Sequence, residues 1–265
     1  MPVAGEIITS RWAFEALAVK QFKDNKFNKN LYKYDKGISI ATFKKDYWLA
    51  DLSKKLDNCE SDYKDPAKRQ EVTDALNMIH NEISKELLNK GNEKLRCEGL
   101  ENLTIKSFNS EVANQVREFL STLKSNYINS FKNYSNAKDQ EVSKLNLDSA
   151  AQANYLKEKN DHENESLNDL VTNKNSFHKI LDLDGEYIQK SDPIYLDPID
   201  SNIGRAQFFA PRKKFLNTYY DTYYFNLCVI WLMSLIMVFT LYFDIFKKII
   251  TWMENSVSRL SSKIK

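Results

Sequence analysis

The stretch from Tyr223 to Phe243 reads YYFNLCVIWLMSLIMVFTLYF and contains no charged residue. An α-helix needs about 20 apolar residues to cross the hydrocarbon core of a bilayer. Tyrosines crowd the first end of the stretch, and Tyr242 and Phe243 close the other, as in the aromatic belts found at headgroup depth. A buried helix of a soluble protein is the alternative, but such a helix usually carries a polar stripe. We therefore predict one transmembrane helix over residues 223–243.

Basic residues flank both ends of this predicted span. Those before it are Arg205, Arg212, Lys213 and Lys214, and those after it are Lys247, Lys248, Arg259 and Lys263. The two sides carry equal numbers of positive charges, so the positive-inside rule leaves the orientation open.

Residues 244–265 continue the chain beyond the span with a second apolar pattern. The apolar positions recur at helical spacing: Ile245, Phe246, Ile249, Ile250, Met253, Val257, Leu260 and Ile264. Charged residues occupy the other face, which predicts an amphipathic tail helix lying along the membrane surface. A simple polar tail is the alternative.

The rest of the chain has the composition of a water-soluble helical domain. Its 265 residues are 42% hydrophobic and 28% charged, and they include 6 Gly and 5 Pro. Helices avoid Gly and Pro, whereas strands and tight turns need them, so the chain is predicted to be mainly α. The net charge is +2, from 38 basic and 36 acidic residues that are interspersed. A nucleic-acid partner is therefore not expected, because it would require a basic face.

Two apolar stripes predict a pair of amphipathic helices in this domain. The first helix starts at Asp65-Pro66, and its stripe is Val72, Leu76, Ile79, Ile83 and Leu87. The second starts near Asn109 or Ser110, and its stripe is Val112, Val116, Phe119, Leu120, Leu123, Tyr127, Phe131 and Tyr134. We expect the two stripes to pack against each other as an antiparallel, coiled-coil-like hairpin.

Weaker signals predict the remaining elements. A third helix is predicted from Asp148 to about Asn160, and a fourth from Ser166, where Ser-Leu-Asn-Asp resembles a capping box. Residues 27–45 alternate weakly, and residues 38–43 within them predict a short strand. The two prolines within residues 187–203 predict an extended connector towards the membrane.

No pattern of residues predicts catalysis. The phosphate loop of the G-x-x-x-x-G-K-[ST] kind is missing from the sequence, and no zinc-type spacing occurs among the cysteines and histidines. No catalytic, cofactor-binding or metal-ligating residue is therefore predicted. Cys59 and Cys97 flank the predicted hairpin; either they form a disulfide in an oxidising compartment, or they are two free thiols. Cys228 lies inside the apolar span.

Two phrases, one near each end of the chain, carry a resemblance to a known family. Residues 8–22 read ITSRWAFEALAVKQF, and residues 208–216 read FFAPRKKFL. The first is similar to the segment after the fifth transmembrane helix of White-type (G-subfamily) ABC transporters, whose motif reads approximately S-R-W/Y-x-F-E-A/G-L. The matching residues are Ser10, Arg11, Trp12, Phe14, Glu15 and Leu17 in the first phrase, and Phe208, Phe209, Ala210, Pro211, Lys213 and Lys214 in the second. The second phrase resembles large bacterial members of the Bacteroidetes type, which carry a long helical insertion before the sixth and last helix.

The resemblance implies a domain order and an orientation. It implies an interfacial amphipathic segment over residues 1–22, a helical extracytoplasmic domain over 23–210, a juxtamembrane connector over 211–222, the transmembrane helix over 223–243 and a cytoplasmic tail over 244–265. The helical domain would then be periplasmic, and the chain would lie in the inner membrane.

The resemblance also implies a function for a larger assembly. The chain would be the C-terminal piece of an ABC-2 type permease, with ATP and Mg²⁺ bound by a nucleotide-binding domain outside this sequence. Its expected partners are the lipid bilayer, the rest of the transporter and a second copy in a dimer. The alternative from a different class is a self-standing, tail-anchored helical adaptor at a membrane.

Overall fold

The computed structural model describes residues 3–89, 91–92, 95–183, 185–198, 203–245 and 247–253. These residues are mainly helical, which confirms the fold class that the low Gly and Pro content predicts. The chain divides into two compact units. The terminal unit comprises Met1–Lys20 and Asp197–Lys265, and the central unit comprises Gln21–Leu196.

The elements follow one another in a simple order. The α-helices are α1 (Thr9–Lys23), α2 (Asn28–Phe43), α3 (Leu49–Asp62), α4 (Arg69–Leu87), α5 (Ser110–Leu145), α6 (Ser149–His162), α7 (Glu165–Val171) and α8 (Thr222–Tyr242). The strands are β1 (Ile180–Leu183), β2 (Glu186–Gln189), β3 (Arg212–Phe215) and β4 (Thr218–Asp221). They form two antiparallel hairpins, β1–β2 in the central unit and β3–β4 in the terminal unit.

Side-chain caps start the helices of the central unit where short polar residues precede them. Asp65 caps the 3₁₀ turn Pro66–Lys68 that leads into α4, while Asn109 and Asp148 cap α5 and α6; their side chains accept backbone N–H groups at 2.9, 3.0 and 2.7 Å. All three starts were predicted from the sequence. The fourth predicted start was wrong by two residues, because Asn164 rather than Ser166 is the N-cap of α7.

The core of the central unit lies between α3, α4 and the first half of α5. Both predicted stripes contribute to it, and the second does so as far as Leu123 and Tyr127. The predicted hairpin, in which α4 and α5 would be each other's main packing partner, does not form. Instead α4 packs mainly on α3, and α5 packs on α2 and α3. The reason is a third stripe on α3: Leu49, Leu52, Leu56 and Cys59, all buried.

The strand predicted over residues 38–43 is wrong, since this segment is the second half of α2. Packing against α5 overrides the weak alternation of β-branched residues. At Gly37 of this contact, an added Cβ would come within 2.4 Å of the Tyr134 ring. The absence of a side chain at this position allows α2 and α5 to approach.

A short π-helical segment, Lys44–Trp48, joins α2 to α3 and brings two of its side chains onto buried carboxylates of α4. Lys44 Nζ donates to Glu86 Oε2 at 2.7 Å, and Trp48 Nε1 donates to Glu82 Oε2 at 2.8 Å. Lys44 Nζ also lies 3.8 Å from the centroid of the Trp48 ring. Each buried carboxylate therefore has a donor from the same turn, which fixes α4 on the joined helices.

The two ends of the central unit meet. The rings of Phe22 and Tyr195 lie 6.1 Å apart in an edge-to-face arrangement, and Tyr32 Oη donates to the Ile194 carbonyl at 2.6 Å. The segment predicted as an extended connector over residues 187–203 is therefore structured at its start: β2 is followed by a 3₁₀ turn, Pro193–Tyr195, in which Ile194 is fully buried.

Two other predicted segments differ in the terminal unit. The predicted connector over residues 211–222 is largely the β3–β4 hairpin, since the backbone turns at Leu216 and Asn217 with φ values of 46° and 63°. Residues 247–253 of the predicted amphipathic tail are helical. Phe246 and residues 254–265, which include Val257, Leu260 and Ile264, lie outside the described residues.

The close approach of α2 and α5 generates a prediction. Gly37→Ala should destabilise the protein by about 1–3 kcal/mol, because the new methyl group overpacks against Tyr134. The measurement is urea unfolding of the detergent-solubilised protein followed by helical circular dichroism.

The double variant Gly37→Ala/Tyr134→Ala provides the control. Removing the ring should relieve the clash and leave the higher helix propensity of alanine, so the two changes should be non-additive. Equal costs for Gly37→Ala in both backgrounds would contradict the proposed contact.

Candidate functional site

The motif residues of the first family-like phrase lie in α1, whose buried face combines apolar residues such as Val19 with one carboxylate. Glu15 is fully buried, whereas Phe14 and Leu17 are 50% and 62% exposed. The predicted interfacial segment over residues 1–22 therefore hides a carboxylate and presents large apolar side chains. A buried carboxylate requires donors, and the second phrase supplies them.

Glu15 is the centre of a buried polar network in the terminal unit. Its Oε1 accepts from Lys213 Nζ at 2.6 Å and from the Phe209 backbone N–H at 3.1 Å. Its Oε2 accepts from Asn226 Nδ2 at 2.9 Å. Both oxygens of the carboxylate are thus engaged, by groups from β3, the preceding loop and α8. Such a carboxylate is suited to joining segments of the chain.

Asn226 brings the first turns of α8 into this network. It is fully buried, and its Nδ2 also donates to the Trp12 carbonyl at 3.1 Å. With both amide hydrogens used, Oδ1 is buried without a hydrogen-bond partner. Asn226 was not among the motif residues selected from the sequence. The signal available there was one polar amide at the start of an otherwise apolar run.

Lys213 reaches Glu15 because side chains alternate along a strand. It is 1% exposed on β3, whereas its neighbour Arg212 points outward and forms a two-point pair with Asp197 at 2.7 and 3.0 Å. Burial lowers the pKa of the Lys213 ammonium, and the adjacent Glu15 carboxylate opposes that effect. Lys213, one of the basic residues that precede the predicted span, is therefore an interior residue, while Lys214 beside it is partly exposed.

Aromatic residues of both phrases pack around the network. The Phe14 ring lies 6.3 Å from that of Phe208 and 6.0 Å from that of Phe209. The Arg11 guanidinium lies 5.3 Å from the centroid of Trp12 and 5.5 Å from that of Phe208. The structure therefore brings together residues of the two phrases that the sequence analysis selected.

Of the remaining motif residues, Ala210 and Pro211 act through their backbone carbonyls, and Ser10 and Leu17 lie at the surface. The carbonyl of Ala210 accepts from Thr222 Oγ1 at 2.6 Å, and the carbonyl of Pro211 accepts from the Thr222 N–H at 3.1 Å. These contacts fix the first residue of α8. Ser10 and Leu17 are exposed.

Helix α8 is long and apolar enough to cross a membrane, and within the described residues it is the helix that meets this criterion. Only 6% of its most apolar window of 18 residues is buried, unlike the core helix of a soluble protein. Its later polar side chains bond their own helix: Ser234 Oγ donates to the Ile230 carbonyl and Thr240 Oγ1 to the Met237 carbonyl. The hydroxyl groups of Ser234 and Thr240, which follow Asn226 in α8, are therefore hydrogen-bonded within the helix itself.

The cysteines selected from the sequence lie in the central unit, apart from this network. Cys59 and Cys97 are free thiols in the structure, the first buried and the second half-buried. Burial raises the pKa of both thiols to about 11, which lowers their reactivity near neutral pH. A disulfide between them in an oxidising compartment stays a prediction.

Among the described residues, no group of three or more His, Cys, Asp or Glu side chains is arranged to hold a metal ion.

The buried ion pair generates a stability prediction. Lys213→Met leaves the Glu15 carboxylate buried without its cation and should cost about 3–5 kcal/mol, whereas Glu15→Leu/Lys213→Met should recover most of that loss. Thermal unfolding of the detergent-solubilised protein, followed by tryptophan fluorescence, measures both.

Lys214→Met is the matched control, because it removes the neighbouring lysine of the same strand from a partly exposed position. It should cost less than about 1 kcal/mol, as surface substitutions usually do. If Lys213→Met unfolds at the same temperature as Lys214→Met, the ion pair does not hold the terminal unit together.

No protein-family model, curated protein or solved structure matches the chain. The likeness of its two phrases to White-type transporters therefore rests on the motif residues themselves. Residues of the second phrase, Lys213 and Phe209, donate hydrogen bonds to Glu15 of the first phrase.

Proposed function

We propose that this chain is the C-terminal part of an ABC-2 type transporter of the White type. In this proposal it contributes the last transmembrane helix and a large external domain, and it takes part in export across the inner membrane. The observation that carries the proposal is the contact between Lys213 and Glu15, which are 198 positions apart in the chain. Two phrases chosen for their likeness to one family meet at this contact.

The apolar helix gives the second argument. α8 follows the β3–β4 hairpin without a break, and Asp221 caps its first turn by accepting the Tyr223 N–H at 3.0 Å. A mostly exposed helix of 21 residues without charges has its favourable environment in a bilayer. In the transporter proposal this helix is the last span, the central unit is periplasmic, and the residues after α8 are cytoplasmic.

The proposal divides the chemistry between two parts of the assembly. ATP and Mg²⁺ bind to a nucleotide-binding domain outside this sequence, where hydrolysis takes place. The chain described here supplies the last span and the external domain, and a second copy completes the dimer. The central unit then acts on the external side, either by gating the exit or by docking a partner.

The tail-anchored adaptor is the second candidate, and one observation favours it. The central unit has its own core of eighteen buried residues, so it is built as a domain in its own right. In this candidate the central unit stays in the cytosol and α8 serves only as an anchor. The two candidates therefore place the central unit on opposite sides of the membrane.

Cysteine labelling separates the two candidates. In a background with Cys59, Cys97 and Cys228 replaced by alanine, a single cysteine is introduced at Leu147, which is 81% exposed, or at the exposed Lys248. Cells with a permeabilised outer membrane are treated with a membrane-impermeant maleimide. The transporter proposal expects Leu147→Cys to be labelled and Lys248→Cys to be protected until the inner membrane is dissolved.

The reverse pattern would support the cytosolic adaptor and overturn the proposed orientation. Labelling of both sites after detergent lysis is the control for reactivity. Equal labelling of both sites in cells whose inner membrane is intact would show that α8 does not cross the bilayer.

Co-purification tests the transport function itself. The chain, tagged after its last residue, is isolated in mild detergent from membranes of the organism that encodes it. We expect a vanadate-sensitive ATPase activity to accompany the tag, on the same polypeptide or on a bound subunit, and to be absent from untagged membranes. Pure chain without ATPase activity, in detergents that preserve its fold, would contradict the transporter proposal.

A further inference from the structure

We propose that Glu15, Lys213 and Asn226 form a register lock, which selects one axial position of α8 against α1 and β3. The inference concerns the terminal unit alone and does not depend on the transport function. It addresses a problem that α8 creates: beyond the contacts of Thr222 at its start, an apolar helix in an apolar solvent has few features that define where along its length it is held.

The need for a lock follows from the composition of α8. From Leu227 to Tyr242 its side chains are apolar except for Cys228, Ser234, Thr240 and the terminal tyrosine. Because Ser234 and Thr240 bond their own backbone, a shift of one turn, about 5.4 Å, would break none of their hydrogen bonds. After such a shift, the apolar side chains of α8 would exchange their contacts for similar apolar contacts.

Asn226 changes this balance. A shift of one turn in one direction would bring Ile230, which has no side-chain donor, opposite Glu15. Glu15 Oε2 would then lose its hydrogen bond in a fully buried place, which is the costly outcome for a carboxylate. A shift in the other direction would bring Thr222 there and break its hydrogen bonds to the carbonyls of Ala210 and Pro211. The native position of α8 therefore differs sharply in energy from its neighbours.

The unpaired Oδ1 of Asn226 supports a role in specificity. Both amide hydrogens face acceptors, Glu15 Oε2 at 2.9 Å and the Trp12 carbonyl at 3.1 Å, so the amide cannot be reversed without placing oxygen against oxygen. In this orientation Asn226 Oδ1 is buried without a hydrogen-bond partner, while Asn226 Nδ2 donates to Glu15. Single buried asparagines set helix register in the same manner, at some loss of stability.

A contact further along α8 reports the register directly. Thr9 Oγ1, at the start of α1, lies 3.8 Å from Met233 Sδ. Cysteines at these two positions should form a disulfide in the native register. Cysteine at Ile230 or Met237, about one turn away on either side, pairs with Thr9→Cys only after a shift.

The experiment is oxidative cross-linking of the full chain in membranes, with the three native cysteines replaced. In the otherwise unaltered protein we expect Thr9→Cys to cross-link to Met233→Cys roughly tenfold more than to Ile230→Cys or Met237→Cys, since one lost buried hydrogen bond is worth about a factor of ten. In the apolar variant Glu15→Leu/Lys213→Met/Asn226→Leu, cross-links should spread over all three positions while the protein still inserts.

Two further variants keep the test decisive. Glu15→Gln retains the shape of the side chain and removes its charge, and it should also spread the cross-links; it decides the question if the apolar variant fails to accumulate. Ser234→Ala removes a polar group of α8 outside the network and should leave the pattern unchanged. Cross-links confined to Met233 in the apolar variant, or in Glu15→Gln, would overturn the lock.

Discussion

The ion pair between Glu15 and Lys213 is the interaction on which the terminal unit depends. It connects the first long helix of the chain to a hairpin almost two hundred residues later, and Asn226 extends the connection into the apolar helix. Buried ion pairs contribute little net stability compared with apolar packing, yet removing one partner is costly. Such a pair is therefore better understood as a constraint on arrangement than as a source of stability.

Two different means of assembly operate in the two units. The central unit is held together by stripes of leucine, isoleucine and valine, which are visible in the sequence. Its buried carboxylates Glu82 and Glu86 accept hydrogen bonds from the π-helical turn. The terminal unit holds its helix by a few polar contacts at one end. The first arrangement tolerates exchange among apolar residues, while the second depends on the identity of three side chains.

The sequence predicts what local chemistry determines. The apolar run of α8, the caps at Asp65, Asn109 and Asp148 and the overall helical content all follow from patterns within one or two turns. The segment of α2 predicted as a strand and the partner of α4 depend on packing between distant residues, which short patterns do not encode. For the candidate site, the motif residues were selected, but the burial of Lys213 was missed because a lysine among lysines is ordinarily a surface residue.

The contact between Phe22 and Tyr195 shows that the central unit enters and leaves the chain at one place. A domain inserted in this way can be lengthened, shortened or exchanged between related proteins without moving the residues on either side of it. Sequence changes within the inserted domain can therefore accumulate without altering Glu15, Lys213 and Asn226, which fix the arrangement of the terminal unit.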